Sequence, residues 1–386
     1  MLEIKGKVNT AICYAKVIEE DAIEQIRTMC DYELTKDSKI RIMPDVHAGA
    51  GCTIGTTMTV IDKACPNVVG VDIGCGMYTV KLKEKELDFE KIDEVCHYIP
   101  SGKNVWEGRE ERFDLEQLRC RRNLNNTKRL ERSLGTLGGG NHFIELQEDE
   151  EGYLSVMIHS GSRHFGKAVC DYFHQKAREL NARWYSQVPD EYRLAFLPLD
   201  SREGRQYLNW MQLSMDFAME NRAKMMLAVK AILEKWIGKY TDLHLAFTEE
   251  INCHHNYAAL ENHYGENVWV HRKGATRARE GELAVIPGAM GSFSYIVRGK
   301  GNPESFCSSS HGAGRRYSRK GAMSAFSCEE VIKDLREKQV ILGKRNKSDV
   351  AEESRFAYKD IDEVMKNQSD LVEPVKKLHT VGVVKG

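Results

Sequence analysis

The sequence has 386 residues, of which 41% are hydrophobic and 29% are charged. This length is enough for two or three average domains, and the apolar fraction supplies material for a core, which excludes a disordered or low-complexity chain. Lysine and arginine number 56 against 57 acidic residues, so the formal net charge is −1. A globally basic nucleic-acid coat protein is therefore excluded, although a local basic patch is not.

The amino terminus, MLEIKGKVNT, lacks the apolar core of a signal peptide, and no run of about 18 apolar residues that could cross a bilayer occurs. We therefore expect neither secretion nor a membrane contact. The eleven cysteines are odd in number and form no Cys-x-x-Cys pair. This usage favours a reducing, cytoplasmic location over a disulfide framework or a zinc knuckle.

In chain order, short runs rich in β-branched residues and separated by glycine loops predict the first strands. They lie at 39–43, 57–61, 68–71, 77–82, 143–146 and 154–158. The acidic segment 148–152 is predicted to be the hairpin loop between the last two.

Apolar residues then recur with a helical period over 166–184 and 203–240. Methionine is dense in the second segment, which we interpret as core packing. Later elements are predicted strands at 243–247, 268–271, 283–287, 293–297 and 381–385, and a polar helix at 328–338. Strands on both sides of a helical insertion predict one α+β domain over 1–386, with a mainly helical excursion at about 166–240.

Six segments share one form, in which an apolar strand runs into a glycine turn that carries a metal-capable or polar side chain. They are 43–49, 71–76, 138–142, 159–163, 255–256 and 310–315. Glycine allows the backbone to approach a ligand closely, and loops at strand ends are where catalytic groups usually project.

Five of these side chains have the donor types of a transition-metal site. Asp72 and Cys75 stand three residues apart across a Gly-Cys-Gly turn, and His142, His159 and His255 add three imidazoles. Each one alone is more typical of a satisfied core group, but the joint pattern predicts a metal site. Donor softness by itself favours zinc over manganese, and the pattern leaves open whether one or two ions bind.

His311 has a different neighbourhood, because small residues and then Arg315, Arg316 and Arg319 follow it. This order is typical of a phosphate-binding loop in which histidine could act as a nucleophile toward phosphorus. A helix N-terminus capped by Ser310 is the alternative interpretation.

Two apparent nucleotide motifs fail on inspection. Segment 161–168 nearly matches the P-loop pattern, but Ala168 replaces the hydroxyl residue that binds Mg²⁺. Segment 49–55 leads into a strand rather than a helix, which is not the dinucleotide-binding arrangement. Two basic groups could be solvated faces or contacts for a polyanion. They are Arg119, Arg121, Arg122, Lys128, Arg129 and Arg132, and then Arg272, Lys273, Arg277 and Arg279.

Taken together, these segments resemble the RtcB family of RNA-splicing ligases. The shared motifs are PDVH, VGVDIGCGM, SLGTLGGGNHFIEL, HSGSR, HHNYA, IPGAMGSFSY, SHGAGR and the closing VGVVKG. They occur in the family's order from Pro44 to Gly386, so the resemblance covers nearly the whole chain.

The resemblance implies an α+β fold of two packed β-sheets flanked by helices, with the active site in a central cleft. It implies a GTP- and Mn²⁺-dependent RNA ligase, using two ions, that joins 2′,3′-cyclic phosphate or 3′-phosphate ends to 5′-hydroxyl ends through a histidine–GMP intermediate. The expected partners are such RNA ends, in tRNA splicing or RNA repair, GTP and an archease-like activator.

Residue roles also follow from the resemblance. It implies His311 as the nucleophile, with Asp45 beside it. It implies Asp72, Cys75, His142, His159 and His255 as metal ligands, with Cys75 bridging two ions. The implied GTP pocket comprises Asn141, His142, Glu145, Asn256, Pro287, Gly288, Ala289, Met290, Ser294, His311, Gly312, Ala313, Gly314, Tyr358 and Lys385. Two departures from the family pattern are Ala289, where many members carry serine, and Ser354-Arg355, where Ala-Pro is usual.

Two other functions compete. A metal-dependent phosphoesterase acting on RNA cyclic-phosphate ends would use the same metal donors but no histidine nucleophile. A non-enzymatic RNA-binding or release-factor-like protein would need no metal.

Overall fold

A computed structural model describes residues 1–83, 85, 92–108, 113, 127–186, 188–237, 247–344 and 346–386. The fold is mixed α+β, as predicted. The helices within these residues are α1 Glu20–Asp31, α2 Pro66–Val69, α3 Ile92–Tyr98, α4 Thr127–Arg132, α5 His164–Arg183, α6 Arg202–Ile237, α7 Arg319–Ala325, α8 Cys328–Glu337 and α9 Ile361–Lys366.

The strands are short except for the last one. They are β1 Leu2–Lys5, β2 Thr10–Cys13, β3 Ile40–His47, β4 Ile54–Val60, β5 Lys63–Ala64, β6 Gly76–Leu82, β7 Phe143–Asp149, β8 Leu154–Ser160, β9 Leu197–Pro198, β10 Phe247–His254, β11 Asn256–His263, β12 Glu266–Lys273, β13 Ala275–Arg277, β14 Leu283–Ile286, β15 Phe293–Gly299, β16 Ser308–Ser310, β17 Ile341–Gly343 and β18 Val372–Lys385.

Two large sheets organise these strands. The first has the order β1-β2-β3-β4-β12-β11, and the second has the order β10-β6-β8-β7-β18-β15-β14, with β17 paired to β18. The two sheets meet through an apolar cluster that joins Met43 of β3 to Ile286 of β14 and Val297 of β15. Strand β18 pairs with β15 up to His379, and its last residues lie between β7 and β17, so they are inside the second sheet.

The long helices cover the sheets through apolar faces. Helix α5 packs on α6 through Phe173 and Trp210, and α6 packs on β8 through Met225 and Met226. These methionines are buried, which confirms the interpretation that the methionine-rich segment is core. None of the described helices is long and apolar enough to cross a membrane.

Most predicted elements are present, within a few residues of their predicted ends. Segment 148–152 is the turn between β7 and β8, where Asp149 N donates to the Tyr153 carbonyl over 2.9 Å. The prediction of a strand at 68–71 is wrong, because Pro66 starts the short helix α2 and Val68 and Val69 are buried on it. β-branched content is a weak guide where burial decides the conformation. Of the strand predicted at 243–247, residues 243–246 lie outside the described residues.

Candidate metal and nucleotide site

The predicted metal ligands lie at one end of the second sheet. Strand β10 pairs with β6, β6 with β8, and β8 with β7, so the ends of four adjacent strands lie side by side. Each strand end carries one predicted ligand. In order across the sheet, the ligands are His255, Cys75, His159 and His142. Asp72 follows in the turn before Cys75. The pairing of the strands therefore brings together residues that are far apart in the chain.

The donor atoms form two groups of three that share the Cys75 sulfur, with the atoms of each group within 4.8 Å of one another. The first triad is Cys75, His159 and His255, and the second triad is Asp72, Cys75 and His142. Cys75 Sγ lies 3.3 Å from His159 Nε2 and 3.6 Å from His142 Nε2. The Nε2 atoms of His159 and His255 are 3.4 Å apart.

Backbone carbonyls orient two of the imidazoles. His142 Nδ1 lies 2.9 Å from the carbonyl oxygen of Leu137, and His159 Nδ1 lies 3.0 Å from that of Asn141. Because a carbonyl only accepts, Nδ1 carries a proton in both rings, and Nε2 is the atom of each ring that faces the Cys75 sulfur. A neutral imidazole held in this way is the usual form of a metal-ligating histidine, so the residues present fit a metal centre.

Burial controls the protonation of these groups. It lowers the pKa of His159 and of His255 well below the usual value, so both rings are neutral. Burial, and then the charge of Asp72, raise the pKa of the Cys75 thiol. Burial alone would raise the pKa of Asp72, but its 3.0 Å contact with His142 outweighs burial and lowers it. Among the described residues Asp72 Oδ1 has no hydrogen-bond partner, as expected of an oxygen that a cation would neutralise.

His311 lies beside the first triad, with its ring centroid 4.7 Å from that of His255. Its Nδ1 is 2.6 Å from Asp45 Oδ2, and the same oxygen accepts from the backbone N–H groups of His311 and Gly312 over 3.0 and 3.2 Å. Burial alone would raise the pKa of Asp45, but the adjacent His311 outweighs it and lowers that pKa. The fully buried carboxylate is therefore charged, and it fixes the orientation of the His311 ring.

The backbone around His311 is a loop, not a helix start. Ser310 ends β16, and the next helix begins at Arg319 with Ser318 as its N-cap. The alternative of a helix capped by Ser310 is therefore wrong. Gly314 has φ +77°, and a Cβ there would lie 2.1 Å from the Asp45 carbonyl oxygen, so the loop closes tightly over Asp45.

A cavity of about 230 Å³ opens beside His311 and His159. Twelve residues of the predicted GTP pocket line it, namely Asn141, Glu145, Pro287, Gly288, Ala289, Met290, His311, Gly312, Ala313, Gly314, Tyr358 and Lys385. Arg315 and Arg319 also line it, next to the loop that carries His311. The lining therefore combines basic side chains and glycine-rich backbone with the carboxyl group of Glu145 and the ammonium group of Lys385.

Three residues of the predicted pocket lie outside the cavity lining and have other contacts. His142 belongs to the second triad. Asn256 donates to the Asp72 carbonyl over 3.0 Å and accepts from Gly274 N over 2.8 Å, so it joins two turns of the site. Ser294 is buried behind the lining, where its Oγ accepts from Gly288 N over 3.2 Å.

Lys385 is an ordered part of β18 and is almost completely buried. A frayed tail, which is common at a chain end, does not occur here, because Lys385 Nζ lies 3.2 Å from Glu353 Oε2. Glu353 also accepts from Tyr358 OH over 2.6 Å and from Arg315 Nη1 over 3.0 Å. Sequence reasoning missed Glu353, since nothing in its polar surroundings marks it as buried.

Glu145 is held from behind by two further residues that sequence reasoning missed. Gln147 Nε2 donates to Glu145 Oε2 over 2.7 Å, and Thr380 Oγ1 donates to the same oxygen over 3.3 Å. Burial nevertheless raises the pKa of Glu145 to about 7. The alternation of β7 carries a weak signal for Gln147, because it lies two residues from Glu145 on the same face of the strand.

The remaining sequence features have structural roles. Lys167 of the near-P-loop lies on the exposed face of α5, where it pairs with Asp171. Arg272 is fully buried and pairs with Glu261 over 2.6 Å, and Lys273 Nζ donates to backbone carbonyls, so neither is a solvated face or a polyanion contact. In the other basic group, Arg119, Arg121 and Arg122 lie outside the described residues.

Comparisons with known proteins show the family of this chain. A family model described as tRNA-splicing ligase RtcB matches residues 26–127 and 103–386. This chain belongs to the RtcB family. It is 39% identical over 385 residues to the RNA-splicing ligase RtcB1 of Escherichia coli (strain ATCC 25922), and 38% identical over 387 residues to the RNA-splicing ligase RtcB of E. coli K12. Each alignment covers 90% of both chains.

An archaeal relative extends the match. The tRNA-splicing ligase RtcB of Nanoarchaeum equitans is 31% identical over 428 residues, which cover 89% of this chain and 87% of the relative. The predicted family is thus confirmed. As an RtcB-family RNA ligase the chain is an enzyme, and the interpretation as a non-enzymatic RNA-binding protein is wrong.

The two departures from the RtcB pattern are accommodated locally. Ala289 lines the cavity, and its carbonyl accepts from Ser292 Oγ over 2.7 Å, which shapes the turn. Arg355 makes two 2.8 Å contacts with the carboxylate of Asp334 on α8, which anchors the turn before Tyr358. Tyr358 consequently reaches the cavity, with Arg315 over its ring at 4.8 Å.

Proposed function

We propose that this chain is a GTP- and Mn²⁺-dependent RNA ligase that joins 2′,3′-cyclic phosphate or 3′-phosphate ends to 5′-hydroxyl ends through a covalent guanylyl–His311 intermediate. One observation carries the proposal. Two donor triads share Cys75, the first of them lies beside a histidine held by a buried carboxylate, and His159 of that triad and His311 line the same cavity.

Asp45 prepares His311 for attack on phosphorus. The carboxylate accepts from Nδ1, so the lone pair of the ring is on Nε2, the atom that can act as a nucleophile. A bond forms between Nε2 and the α-phosphorus of GTP while the bond to pyrophosphate breaks. The guanylylated ring keeps its Nδ1 proton and carries positive charge, which the carboxylate of Asp45 stabilises.

The next two steps also exchange one bond to phosphorus for another. An oxygen of the RNA 3′-phosphate attacks the guanylyl phosphorus, the bond to Nε2 breaks, and an RNA-3′-pp-5′-G end results. The 5′-hydroxyl of the second RNA then attacks the 3′-phosphorus, loses its proton and displaces GMP. A cyclic phosphate end must first be opened by water to leave a 3′-phosphate.

Divalent cations bound by the two triads would supply the Lewis-acid stabilisation that in-line displacement at phosphorus requires. Two of the chain's own side chains suit the phosphates. Arg315 and Arg319 line the cavity next to the loop that carries His311, and guanidinium groups suit phosphate oxygens.

Three residues of the cavity lining suit a guanine. Lys385 can only donate hydrogen bonds, which matches the O6 and N7 acceptors of guanine, whereas adenine presents an amino group at position 6. Glu145 can accept from the N1–H and 2-amino groups, and Tyr358 offers an aromatic side chain for base contact. This arrangement of hydrogen-bond donors and acceptors supports selection of GTP over ATP.

The test is a two-part assay on purified protein. Radiolabelled GTP should place an acid-labile label on the wild type and none on His311→Ala, which should still bind metal because His311 lies outside both triads. A synthetic pair of cyclic-phosphate and 5′-hydroxyl RNAs is then incubated with each nucleotide and each divalent metal in turn. Release of the cyclic phosphate without labelling or joining would instead support the phosphoesterase.

Three finer expectations stay predictions. They are that residues 1–386 form one catalytic domain, that the protein acts in the cytoplasm, and that an archease-like protein activates it. The physiological RNA, in tRNA splicing or in repair, is decided by which cleaved RNAs accumulate when the gene is deleted.

A further inference from the structure

Two adjacent polar residues of α6, Asn221 and Arg222, lie behind the metal ligands and outside the cavity lining. Both side chains are fully buried. A buried amide, and still more a buried guanidinium, is costly unless its hydrogen bonds are made. The identity of their partners therefore indicates what these residues do.

Arg222 connects the chain segments that carry the first triad. Its Nη1 donates to the Gly74 carbonyl over 3.0 Å and to the Ser160 carbonyl over 2.9 Å. Its Nε and Nη2 both donate to Asn252 Oδ1, over 3.0 and 2.8 Å. Gly74 precedes Cys75, Ser160 follows His159, and Asn252 stands on β10 just before His255.

Two further facts indicate that the Arg222 guanidinium group holds these acceptors rigidly. The Gly74 carbonyl also lies 2.8 Å from His254 Nδ1, so two donors converge on the residue before Cys75. Burial lowers the pKa of Arg222 only to about 10, and the guanidinium therefore stays charged at neutral pH. A charged planar group with several fixed donors restrains its acceptors more strongly than a neutral side chain.

Asn221 contacts the segments that carry the second triad, and it also shares Ser160 with Arg222, because its Nδ2 donates to Ser160 Oγ over 3.1 Å. Its Oδ1 accepts from the backbone N–H groups of Gly135 and Thr136 over 2.7 and 3.1 Å. This holds the turn whose next residue, Leu137, accepts from His142 Nδ1. Its Nδ2 donates to the Gly161 carbonyl over 3.1 Å.

Gly161 provides the link to Asp72, the carboxylate ligand of the second triad. A Cβ at Gly161 would lie 2.2 Å from Asp72 Oδ1, so the backbone of this glycine packs directly against the carboxylate. Asn221 thus supports both unshared ligands of the second triad, Asp72 through Gly161 and His142 through Leu137.

We propose that Arg222 and Asn221 are positioning residues that divide the metal centre between them, with Arg222 orienting the first triad and Asn221 the second. The inference rests on the proposed function in one respect, since it takes each triad to bind a divalent cation. It predicts that neighbouring residues on one helix affect different ions.

The experiment measures metal binding rather than catalysis. Each positioning variant is placed in two backgrounds, His142→Ala, which leaves only the first triad complete, and His255→Ala, which leaves only the second. Mn²⁺ alone, and in parallel Zn²⁺ alone, is titrated into the full chain by equilibrium dialysis with elemental analysis.

The expected result is a crossed pattern. In the His142→Ala background Arg222→Gln should weaken metal binding by about 10- to 100-fold, the usual effect of losing a residue that orients a ligand. In the His255→Ala background the same change should have a clearly smaller effect, because Arg222 reaches the second triad only through Gly74, next to the shared Cys75, and through Ser160. Asn221→Ser should show the reverse preference.

Matched controls separate positioning from general damage. Arg272→Gln removes another fully buried arginine, and Asn181→Ser removes another buried amide that bonds backbone across a loop, to Phe196. Neither should change metal binding in either background. If Arg222→Gln does not fold, Arg222→Lys keeps the buried cation without its planar fork and should give an intermediate loss with the same preference.

Equal weakening in both backgrounds, or none, would overturn the division. The proposed function fails on a different result, namely variants that show the crossed pattern of metal binding while the wild-type chain is never labelled by GTP. Zinc titration keeps the two questions apart, because it reports on the triads even if manganese is not the preferred ion.

Discussion

Replacing Asp45 with asparagine tests how the buried carboxylate activates His311. Asparagine has nearly the same volume and can still accept from the backbone N–H groups of His311 and Gly312. What is lost is the negative charge 2.6 Å from His311 Nδ1. We therefore expect a protein that folds and binds metal but transfers GMP slowly.

The magnitude follows from the charge that develops on the ring. Two unit charges whose centres are roughly 4 Å apart interact by about 4 kcal/mol at an effective dielectric constant of about 20. Since about 1.4 kcal/mol corresponds to a factor of ten, guanylylation should slow by roughly 1,000-fold. The melting temperature should change far less than the rate.

The assay is single-turnover guanylylation with radiolabelled GTP and saturating metal, with metal content measured on the same preparation. Asp149→Asn is a matched control, because Asp149 is also a buried carboxylate that accepts from two backbone N–H groups, at Glu151 and Tyr153. That control should label at the wild-type rate. A wild-type rate in Asp45→Asn would refute the electrostatic argument, and loss of metal binding would show that the residue supports the centre instead.

Three further predictions concern the metals, the base and pH. Cys75→Ser should weaken binding of both ions by more than about 100-fold, since the sulfur belongs to both triads. His255→Ala should still bind one ion, and a metal titration distinguishes the two results. Lys385→Ala should weaken GTP binding by roughly 10- to 100-fold, which corresponds to the loss of one charge-assisted hydrogen bond, and it should leave ATP binding unchanged. The control Lys377→Ala, on the same strand, should change the binding of neither nucleotide. Burial raises the pKa of Glu145 to about 7, so the protonated form stabilises the folded protein and this stabilisation is lost as pH rises through that value. Melting curves should accordingly show Glu145→Gln gaining stability relative to wild type between about pH 5 and about pH 8, and a constant difference would contradict the shift.

Local pattern determined much of the fold. The residue types of the runs 77–82 and 154–158 predict strands, and these runs form strands β6 and β8. Helices α5 and α6 follow a 3.6-residue period, which is visible without any partner. The same reasoning missed α1, whose buried face of Ala22, Ile26 and Met29 is diluted by charged residues, and it assigned 68–71 to a strand where tertiary burial favours a helix.

The candidate site likewise depends partly on local sequence and partly on tertiary structure. The sequence by itself determined which side chains can bind metal or attack phosphorus, because donor chemistry and glycine turns are local properties. It left the number of ions open, since only the pairing of β6, β7, β8 and β10 makes Cys75 common to two triads. It was silent on Glu353 and Arg222, which look like ordinary polar residues of a turn and a helix. Arg222 meets the carbonyl of Gly74 from 148 residues away, and no local pattern carries information about a partner at that separation. Only the packing of α6 against the second sheet decided that contact.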